Sequence, residues 1–546
     1  MTFDLLDTSR GDLLTTTEFH AINNAHGVYD ALRFVVRLSP KVHDLISSLP
    51  PGIGFKNGGT QDQIKAFSTY LHETIHWWQH IGSTSGFMLS LSYPAQTHAN
   101  LNHLRHFLDL VGPVKSIRSY AETQTGQSLP GTAVGLANTI INNQFDIEAF
   151  RLLVTNPERA ESLVTKGMFE SVGHTYNIAL AQGVFALAST FDKEFTLLPD
   201  PRDWEKEYQK LRAAREPGFY HGSPVELSPI GAYHIFEGQA RFAQLQYLHF
   251  ASGGAFDWKE ADDAGMMSPA YTLAFDAFLT LTELERPPTI NHPIIGLFLL
   301  ICDVAINPGE AFPLPVRHHK TFISDIDPGT RFIHLSAGVR LFCPETAHEI
   351  TQYNATEYES VVTKLCSALR LFSPMDNCRA VDHWLTKGDT FREALDLHSV
   401  GKTNNLNMPL QLLFGQFASF TQDKLRHPHL LCWPGAAMAG PHANEAMLGI
   451  FSRQSPLFID RSDDMMIVPI VRQGLSEADV LETFQQFYNA HALYDLTKQW
   501  INSSGPYNYD YAWLQPNGTE REIKEWADRI FANVYGVSPD DFDILN

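Results

Sequence analysis

The chain has 546 residues, of which 44% are hydrophobic and 18% charged, and this composition is that of a folded protein with a large core. It allows one large unit or two to four ordinary domains, and no long biased or repeated segment indicates disorder or a solenoid. The formal net charge of −21 argues against a nucleic-acid backbone or an anionic membrane surface as the main partner.

Other features of the sequence predict a cytoplasmic protein. Residues 1–7 contain neither a basic segment nor an apolar core, so we expect no secretory signal. The five cysteines are odd in number, widely spaced and without a Cys-x-x-Cys pair, which is typical of reduced, buried thiols. The most apolar run, residues 294–302, stops at Asp303, well short of the roughly 20 residues that span a bilayer. We therefore expect a buried helix there and no membrane partner.

Residues 72–76 read His-Glu-Thr-Ile-His, which is the pattern His-Glu-x-x-His. Residues four apart on an α-helix lie on one face, so the imidazoles of His72 and His76 can bind one zinc ion at about 2.0–2.1 Å. Glu73 follows round the same turn, where its carboxylate can reach a water molecule at the ion and act as a general base. The pattern therefore predicts one zinc ion (Zn²⁺) per chain.

The neighbouring sequence favours the helix that this motif requires. Residues 57–59 read Asn-Gly-Gly and favour a turn, and Thr60 and Gln63 have the spacing of a capping box. Apolar residues then recur at three- and four-residue spacing, and the histidines lie on the flank of this apolar stripe. Gly82 is the predicted end of the helix.

A catalytic zinc ion needs a third protein ligand beside an open position. Residues 232–245 predict a second helix, and Glu237 within it is the best candidate in the chain. Gly238 and Ala240 would let this helix approach the first one closely. Glu148 is the alternative third ligand, although an ion pair or a charge near a helix end is the simpler account of that residue.

Two short stretches together resemble the gluzincin metallopeptidases of the zincin superfamily. They are His-Glu-Thr-Ile-His at residues 72–76 and Glu-Gly-Gln-Ala at residues 237–240. The resemblance implies that the two histidines and Glu237 are zinc ligands and that Glu73 is the base.

The chain differs from several sequence patterns of this family and from the pattern of the related metzincins. The separation between the two stretches is long, which implies an insertion. Arg241 stands where one variant has Asp, and Phe236 stands where the aminopeptidase-like variant has Asn. The metzincin pattern is absent, since Gln79 and Gly82 stand where it requires Gly and His.

The resemblance also implies a strand along the cleft, where a substrate backbone can add to the strand edge, and residues 32–38 are the candidate. Tyr233 and His234 precede Glu237 by about one turn, so either side chain could donate a hydrogen bond to the oxyanion formed during hydrolysis. Packing between helices is an equally good account of both residues.

These elements predict an α+β fold that is predominantly α-helical, with a zincin-like core, a small sheet and a large helical accessory region. Residues 1–285 are expected to form the catalytic region, with the insertion between the two motif helices. Residues 286–546 are expected to form a mostly helical C-terminal region, either separate or packed with the first as one large unit.

The leading interpretation is a zinc-dependent hydrolase, most simply a peptidase that acts on a peptide or protein substrate. The alternative is a zinc-binding scaffold or regulatory protein that keeps a zincin-like fold without proteolysis. A third interpretation treats the motif as accidental in an unrelated α-rich fold. The sequence leaves open the substrate, the choice between internal and terminal cleavage, and the oligomeric state.

Overall fold

The structure is a computed structural model that describes residues 27–49, 59–124, 131–403, 407–439, 443–463, 466–514 and 518–545. Helices make up most of these residues, and the strands form one small sheet and one two-stranded pair. The chain therefore has the predicted α+β fold, predominantly α-helical. The predictions for residues 1–7 and for Asn57 and Gly58 lie outside the described residues.

The strands are short and come from distant parts of the chain. They are β1 (Gly27–Asp30), β2 (Val35–Leu38), β3 (Val114–Lys115), β4 (Phe458–Asp460), β5 (Ile467–Pro469) and β6 (Asp543–Ile544). The larger sheet has the order β1-β2-β4-β5, with β2 and β4 parallel and the other pairs antiparallel. β3 and β6 form a separate parallel pair. Within the described ranges, β1 is therefore an edge strand of the larger sheet.

The β-prone run predicted at residues 32–38 is a strand in its second half only. A turn occupies residues 31–34, and β2 follows it with all four residues buried. A strand buried on both faces favours β-branched residues, and Val35 and Val36 supply them. The strand nearer the motif helix is β1, in which Tyr29 is paired with Val36.

Helices form the body of the molecule. In the first half of the chain they are α1 (Pro40–Ser47), α2 (Gln61–Gly82), α3 (Thr84–Val111), α4 (Ile117–Thr123), α5 (Ala133–Thr155), α6 (Glu161–Val164), α7 (Val172–Phe191), α8 (Arg202–Ala213), α9 (Ala232–Ala251), α10 (Trp258–Asp263) and α11 (Pro269–Thr282). In the second half they are α12 (Pro293–Ala305), α13 (Phe322–Ile326), α14 (Pro328–Phe342), α15 (Ala355–Leu369), α16 (Pro374–Lys387), α17 (Asp389–Ser399), α18 (Met408–Arg426), α19 (Pro428–Cys432), α20 (Pro434–Met438), α21 (Glu445–Arg453), α22 (Glu477–Asn502) and α23 (Glu520–Tyr535).

Helix α2 begins and ends where the sequence predicts. Thr60 Oγ1 accepts the backbone N–H of Gln63 at 3.2 Å, and Gln63 Oε1 accepts the backbone N–H of Thr60 at 2.8 Å, which is a complete capping box. Gly82 is the last residue of the helix. A Cβ atom at Gly82 would lie 2.3 Å from Cδ1 of Phe420, so the glycine allows α18 to approach.

Helix α2 lies at the centre of the fold. It packs against α1, α3, α9, α18 and the edge strand β1, and every residue from 71 to 79 is buried. Helix α3 passes so close that a Cβ atom at Gly86 would lie 1.9 Å from the carbonyl oxygen of Gln79. Because burial of polar groups is costly unless they are paired, the histidines and the glutamate of this segment need partners inside the protein.

The two predicted regions, residues 1–285 and 286–546, contribute to one sheet and one core. Strand β2 of the first region pairs with β4 of the second, and one cluster of buried apolar residues extends from Tyr29 to Phe542. The apolar run at residues 294–302 lies in the buried helix α12, as predicted. All five cysteines are buried, free thiols. Within the described ranges, no helix is both long enough and apolar enough to cross a membrane.

Candidate metal centre

His72 and His76 lie one turn apart on α2, and their imidazole rings meet. Their two Nε2 atoms are 3.1 Å apart, and the ring centroids are 4.7 Å apart. The two residues are 6% and 8% exposed. The helix itself therefore brings the predicted pair of nitrogen ligands together, as its four-residue periodicity requires.

Glu237 reaches the same point from helix α9. Its Oε2 atom lies 3.7 Å from Nε2 of His72 and 3.5 Å from Nε2 of His76. A tetrahedral zinc ion with bonds of about 2.0–2.1 Å separates its ligand atoms by about 3.3 Å. The three atoms are thus spaced as the ligands of one zinc ion, and Glu237 occupies the position predicted for the third ligand.

Helices α2 and α9 run antiparallel, and buried amides fix their relative position. The Gln79 amide nitrogen donates hydrogen bonds of 2.9 Å to the carbonyl oxygen of Phe236 and to Oε1 of Gln239. Nearer the start of α2, the Gln244 amide nitrogen donates to the Ser68 hydroxyl at 3.1 Å. These contacts lie on either side of the centre and hold the α9 carboxylate opposite the two histidines.

Gln79 also orients one of the histidines. Its Oε1 atom lies 2.8 Å from Nδ1 of His76, so Nδ1 donates the hydrogen bond and Nε2 is left with a lone pair directed at the centre. Gln79 is 3% exposed, which keeps water from competing for this contact. Gln79 is a residue of the centre that the motif does not predict, although its position about one turn after His76 was a usable signal.

Glu73 lies beside the three ligand atoms and is held by the edge strand. Burial raises the pKa of this carboxylate, and the nearby backbone N–H of Tyr29 in β1 is among the groups that oppose that shift. Gly27 makes room for the side chain, because a Cβ atom there would lie 2.9 Å from Cγ of Glu73. The outer edge of β1 therefore faces the centre. The strand β1 was not predicted, because its four residues show no clear alternation of apolar and polar side chains.

Two carboxylates are available, and the structure gives them different surroundings. His72, Glu73 and His76 alone bring three potential ligand atoms within 4.8 Å of one another. Glu237 comes from a second helix and lies within 3.7 Å of both histidine nitrogens, while the Glu73 carboxylate is bound by β1. This arrangement fits Glu237 as the third ligand and leaves Glu73 for another role.

Burial and neighbouring charges shift the pKa values of these residues in different directions. Burial raises the pKa of Glu73 to about 7, although the charge of His76 opposes the shift. Burial lowers the pKa of His72. For His76 burial also lowers the pKa, but the Glu237 carboxylate outweighs it and the net pKa is raised. Burial raises the pKa of Glu237, and the two histidines outweigh it and hold the net pKa well below the usual range. A carboxylate with a pKa near neutrality is suited to proton transfer.

The donor set fits a zinc ion. Two imidazole nitrogens and one carboxylate oxygen form a three-ligand set that is typical of catalytic zinc. Among the residues that the structure describes, Nδ1 of His72 is buried without a hydrogen-bond partner, so the polar contacts of this ring are those of Nε2 at the centre. Only His76 has the supporting hydrogen bond that such ligands commonly make.

The two predicted oxyanion donors have different surroundings. Burial, followed by the charge of Glu237, raises the pKa of the Tyr233 hydroxyl. Nδ1 of His234 accepts a hydrogen bond of 3.3 Å from the backbone N–H of Gly231, so this ring caps the start of α9. The catalytic roles of both residues stay predictions.

Glu148, the alternative third ligand, pairs with other residues. It lies on α5, where its Oε1 atom accepts a hydrogen bond of 2.7 Å from the Gln144 amide and lies 3.7 Å from Nζ of Lys498. The ion pair that the sequence offered as the simpler account is therefore present.

The role predicted for Gly238 is wrong. A Cβ atom at Gly238 would lie 3.2 Å from Phe298 of α12 and 3.4 Å from Ala274 of α11, so this glycine faces those helices instead of α2. Position 238 lies about 100° round the helix from position 237, which turns it away from the side that carries the ligand. The contact between α2 and α9 includes the hydrogen bonds of Gln79 with Gln239 and of Gln244 with Ser68.

Comparison with known proteins identifies no relative. No protein-family model, no curated protein and no solved structure matches this chain. The assignment of function therefore depends on the geometry of the centre and on the chemistry of its residues.

Proposed function

We propose that this protein is a zinc-dependent hydrolase of the zincin type, and specifically a peptidase. The observation that carries the proposal is the convergence of His72, His76 and Glu237 from two helices beside the separately held carboxylate of Glu73. A zinc ion used only for structure has no need of such a carboxylate and usually has a fourth protein ligand.

His72, His76 and Glu237 would hold the ion, one per chain. A zinc ion bound there supplies Lewis acidity, which polarises a substrate carbonyl and lowers the pKa of water toward about 7. Glu73 accepts a proton from the attacking water on its carboxylate and then delivers it to the amine leaving group. The Tyr29 backbone N–H orients the carboxylate through both transfers. One nitrogen of His234 is already used by the helix cap, which favours Tyr233 as the donor to the oxyanion.

A peptide is favoured as the substrate by the strand at the edge of the centre. β1 is extended, lies against α2 and pairs with β2 on one side only among the described residues. An exposed strand edge can bind an extended peptide through backbone hydrogen bonds. Because Tyr29 of this strand contacts Glu73, a peptide bound along it would lie beside the proposed base.

Metal content and cleavage together test the proposal. Zinc would be measured by plasma mass spectrometry in the wild-type chain and in the His76→Ala and Glu237→Ala variants, with Glu148→Ala as the matched control. We expect about one zinc ion per chain, lost or weakened in the first two variants and kept in the control.

The role of Glu73 is tested separately with the Glu73→Gln variant. We expect this variant to keep zinc and to lose cleavage of a mixed-sequence peptide library, measured by mass spectrometry. Full cleavage by zinc-loaded Glu73→Gln would contradict the mechanism. A wild-type chain that binds no zinc, after growth with added metal and purification without chelators, would contradict the metal centre itself.

A further inference from the structure

Arg241 holds a positive charge at the edge of the metal centre. It lies one turn after Glu237 on α9, and its guanidinium carbon is 3.8 Å from the ring centroid of Tyr271 on α11. The Tyr271 ring in turn lies 6.0 Å from the ring of His72. Burial lowers the pKa of His72 and raises that of Glu73, and the charge of Arg241 adds to the first shift and opposes the second, so Arg241 lies within electrostatic reach of both residues.

The hydrogen-bonding capacity of this guanidinium is only partly used. Nη1 donates to Oε1 of Gln244, whose amide is itself bound to Ser68 of α2. Among the residues that the structure describes, Nε is buried without a hydrogen-bond partner and Arg241 forms no ion pair. A guanidinium has five N–H donors, so donors remain on Arg241 for a further acceptor.

The geometry suits a carboxylate. The stack on Tyr271 and the bond to Gln244 fix the plane of the guanidinium, which is then preorganised to bind a carboxylate through two parallel hydrogen bonds. The charges at the centre also favour a carboxylate. One zinc ion together with Glu237, Glu73 and Arg241 leaves a net positive charge there. A substrate group with one negative charge would neutralise it.

We propose that Arg241 binds a carboxylate of the substrate, so that the protein acts on peptides that carry a free carboxylate next to the cleaved bond. This inference rests on the proposed hydrolase function and adds the substrate class. The carboxylate can belong to the C-terminus of the peptide, which would make the protein a carboxy-terminal exopeptidase, or to an Asp or Glu side chain.

Binding by an inactive variant tests the inference without turnover. The full chain carrying Glu73→Gln, loaded with zinc and immobilised, is incubated with a synthetic mixed-sequence peptide library, and retained peptides are quantified by mass spectrometry. The library is used in three forms: with free carboxylates, with all carboxylates converted to methyl esters, and with C-terminal amides that leave acidic side chains free.

We expect retention of the free library and a loss of about tenfold to a hundredfold on methyl esterification, since the charged hydrogen bonds are removed. Adding Arg241→Gln to the Glu73→Gln chain should cause a similar loss. This second result separates Arg241 from the zinc ion, which also attracts carboxylates. The matched control is Arg286→Gln, which removes an exposed arginine stacked on Trp258 at 4.5 Å.

The amide library identifies the source of the carboxylate. Retention of amides that contain Asp or Glu supports a side-chain carboxylate, and loss of all amides supports the C-terminal one. Equal retention of esters and free peptides, no retention of any library, or unchanged retention by the Arg241→Gln chain would overturn the inference. The ester comparison does not depend on how well an Arg241 variant folds. Different results would contradict the proposed hydrolase function. They are a wild-type chain that binds no zinc, or full cleavage by the zinc-loaded Glu73→Gln chain.

Discussion

Replacing Gln79 with leucine should weaken zinc binding although no ligand is removed. The change takes away the acceptor of the His76 Nδ1–H, which lies 2.8 Å from Gln79 Oε1 and is buried. Removal of such a supporting contact typically lowers metal affinity by about 10- to 100-fold, or about 1.4–2.7 kcal/mol. We therefore expect the zinc dissociation constant of Gln79→Leu to rise by that factor.

The same substitution also removes two hydrogen bonds between α2 and α9, so its effect on folding must be separated from its effect on zinc. Gln239→Leu is the matched control, because it removes one of those interhelical bonds and leaves the acceptor of His76 in place. Gln79→Glu is the second control, since its carboxylate still accepts from His76. Both controls should bind zinc more tightly than Gln79→Leu.

Two measurements decide the question. Zinc affinity would be measured by competition with a chelating fluorescent dye, and the free energy of unfolding of the metal-free chains by urea titration. Leaving buried polar groups unpaired should lower the stability of both leucine variants by about 1–3 kcal/mol. A Gln79→Leu affinity within threefold of wild type, or an equal loss in Gln239→Leu, would refute the orienting role of Gln79.

Two further predictions concern the base and the helical region. Gly27→Ala should keep zinc but lower kcat by about 10- to 100-fold, because the new Cβ would lie 2.9 Å from Cγ of Glu73 and must displace it. His398→Gln should make stability less sensitive to acid. Burial lowers the pKa of His398 to about 3, so the unfolded chain alone takes up this proton between about pH 6.5 and 3, and stability falls as pH falls. From pH 7 to 5 this effect is about 2 kcal/mol.

Each of these predictions has a matched control. For Gly27, the control is Gly59→Ala, where a Cβ would meet only ordinary contacts of 3.6 Å or more, and zinc content and turnover should both be unchanged. For His398, the control is His383→Gln, which replaces an exposed histidine. Urea titrations at pH 7 and 5 measure the difference. An unchanged pH dependence in His398→Gln would contradict the reasoning, as would loss of zinc in Gly27→Ala.

The motif helix was predictable because its signals are local. The capping box, the apolar periodicity and the terminal glycine all act within a few residues, and α2 begins and ends accordingly. The spacing of His72 and His76 likewise needs only the helix period. A local pattern can therefore bring two imidazole nitrogens together before any tertiary contact is known.

The position of Glu237 depends on a tertiary contact that local patterns describe poorly. Its selection over Glu148 came from a family resemblance and from the need for a third ligand, and the structure places it within 3.7 Å of both histidines. The same reasoning wrongly predicted that Gly238 faces α2. The sequence of a helix does not show which of its sides packs against which neighbouring helix. Buried amides such as those of Gln79 and Gln239 help to determine which side of α9 faces α2.

Tyr29 and Arg241 show why the remaining part of the site could not be read from the sequence. Tyr29 acts through its backbone N–H, which every residue except proline has, so its identity carries no signal. Arg241 entered the sequence analysis only as a departure from a family pattern. Its meaning comes from two contacts, with the ring of Tyr271 on α11 and with the amide of Gln244 on its own helix α9. A residue that departs from a family pattern can therefore contribute charge and geometry that only its tertiary contacts reveal.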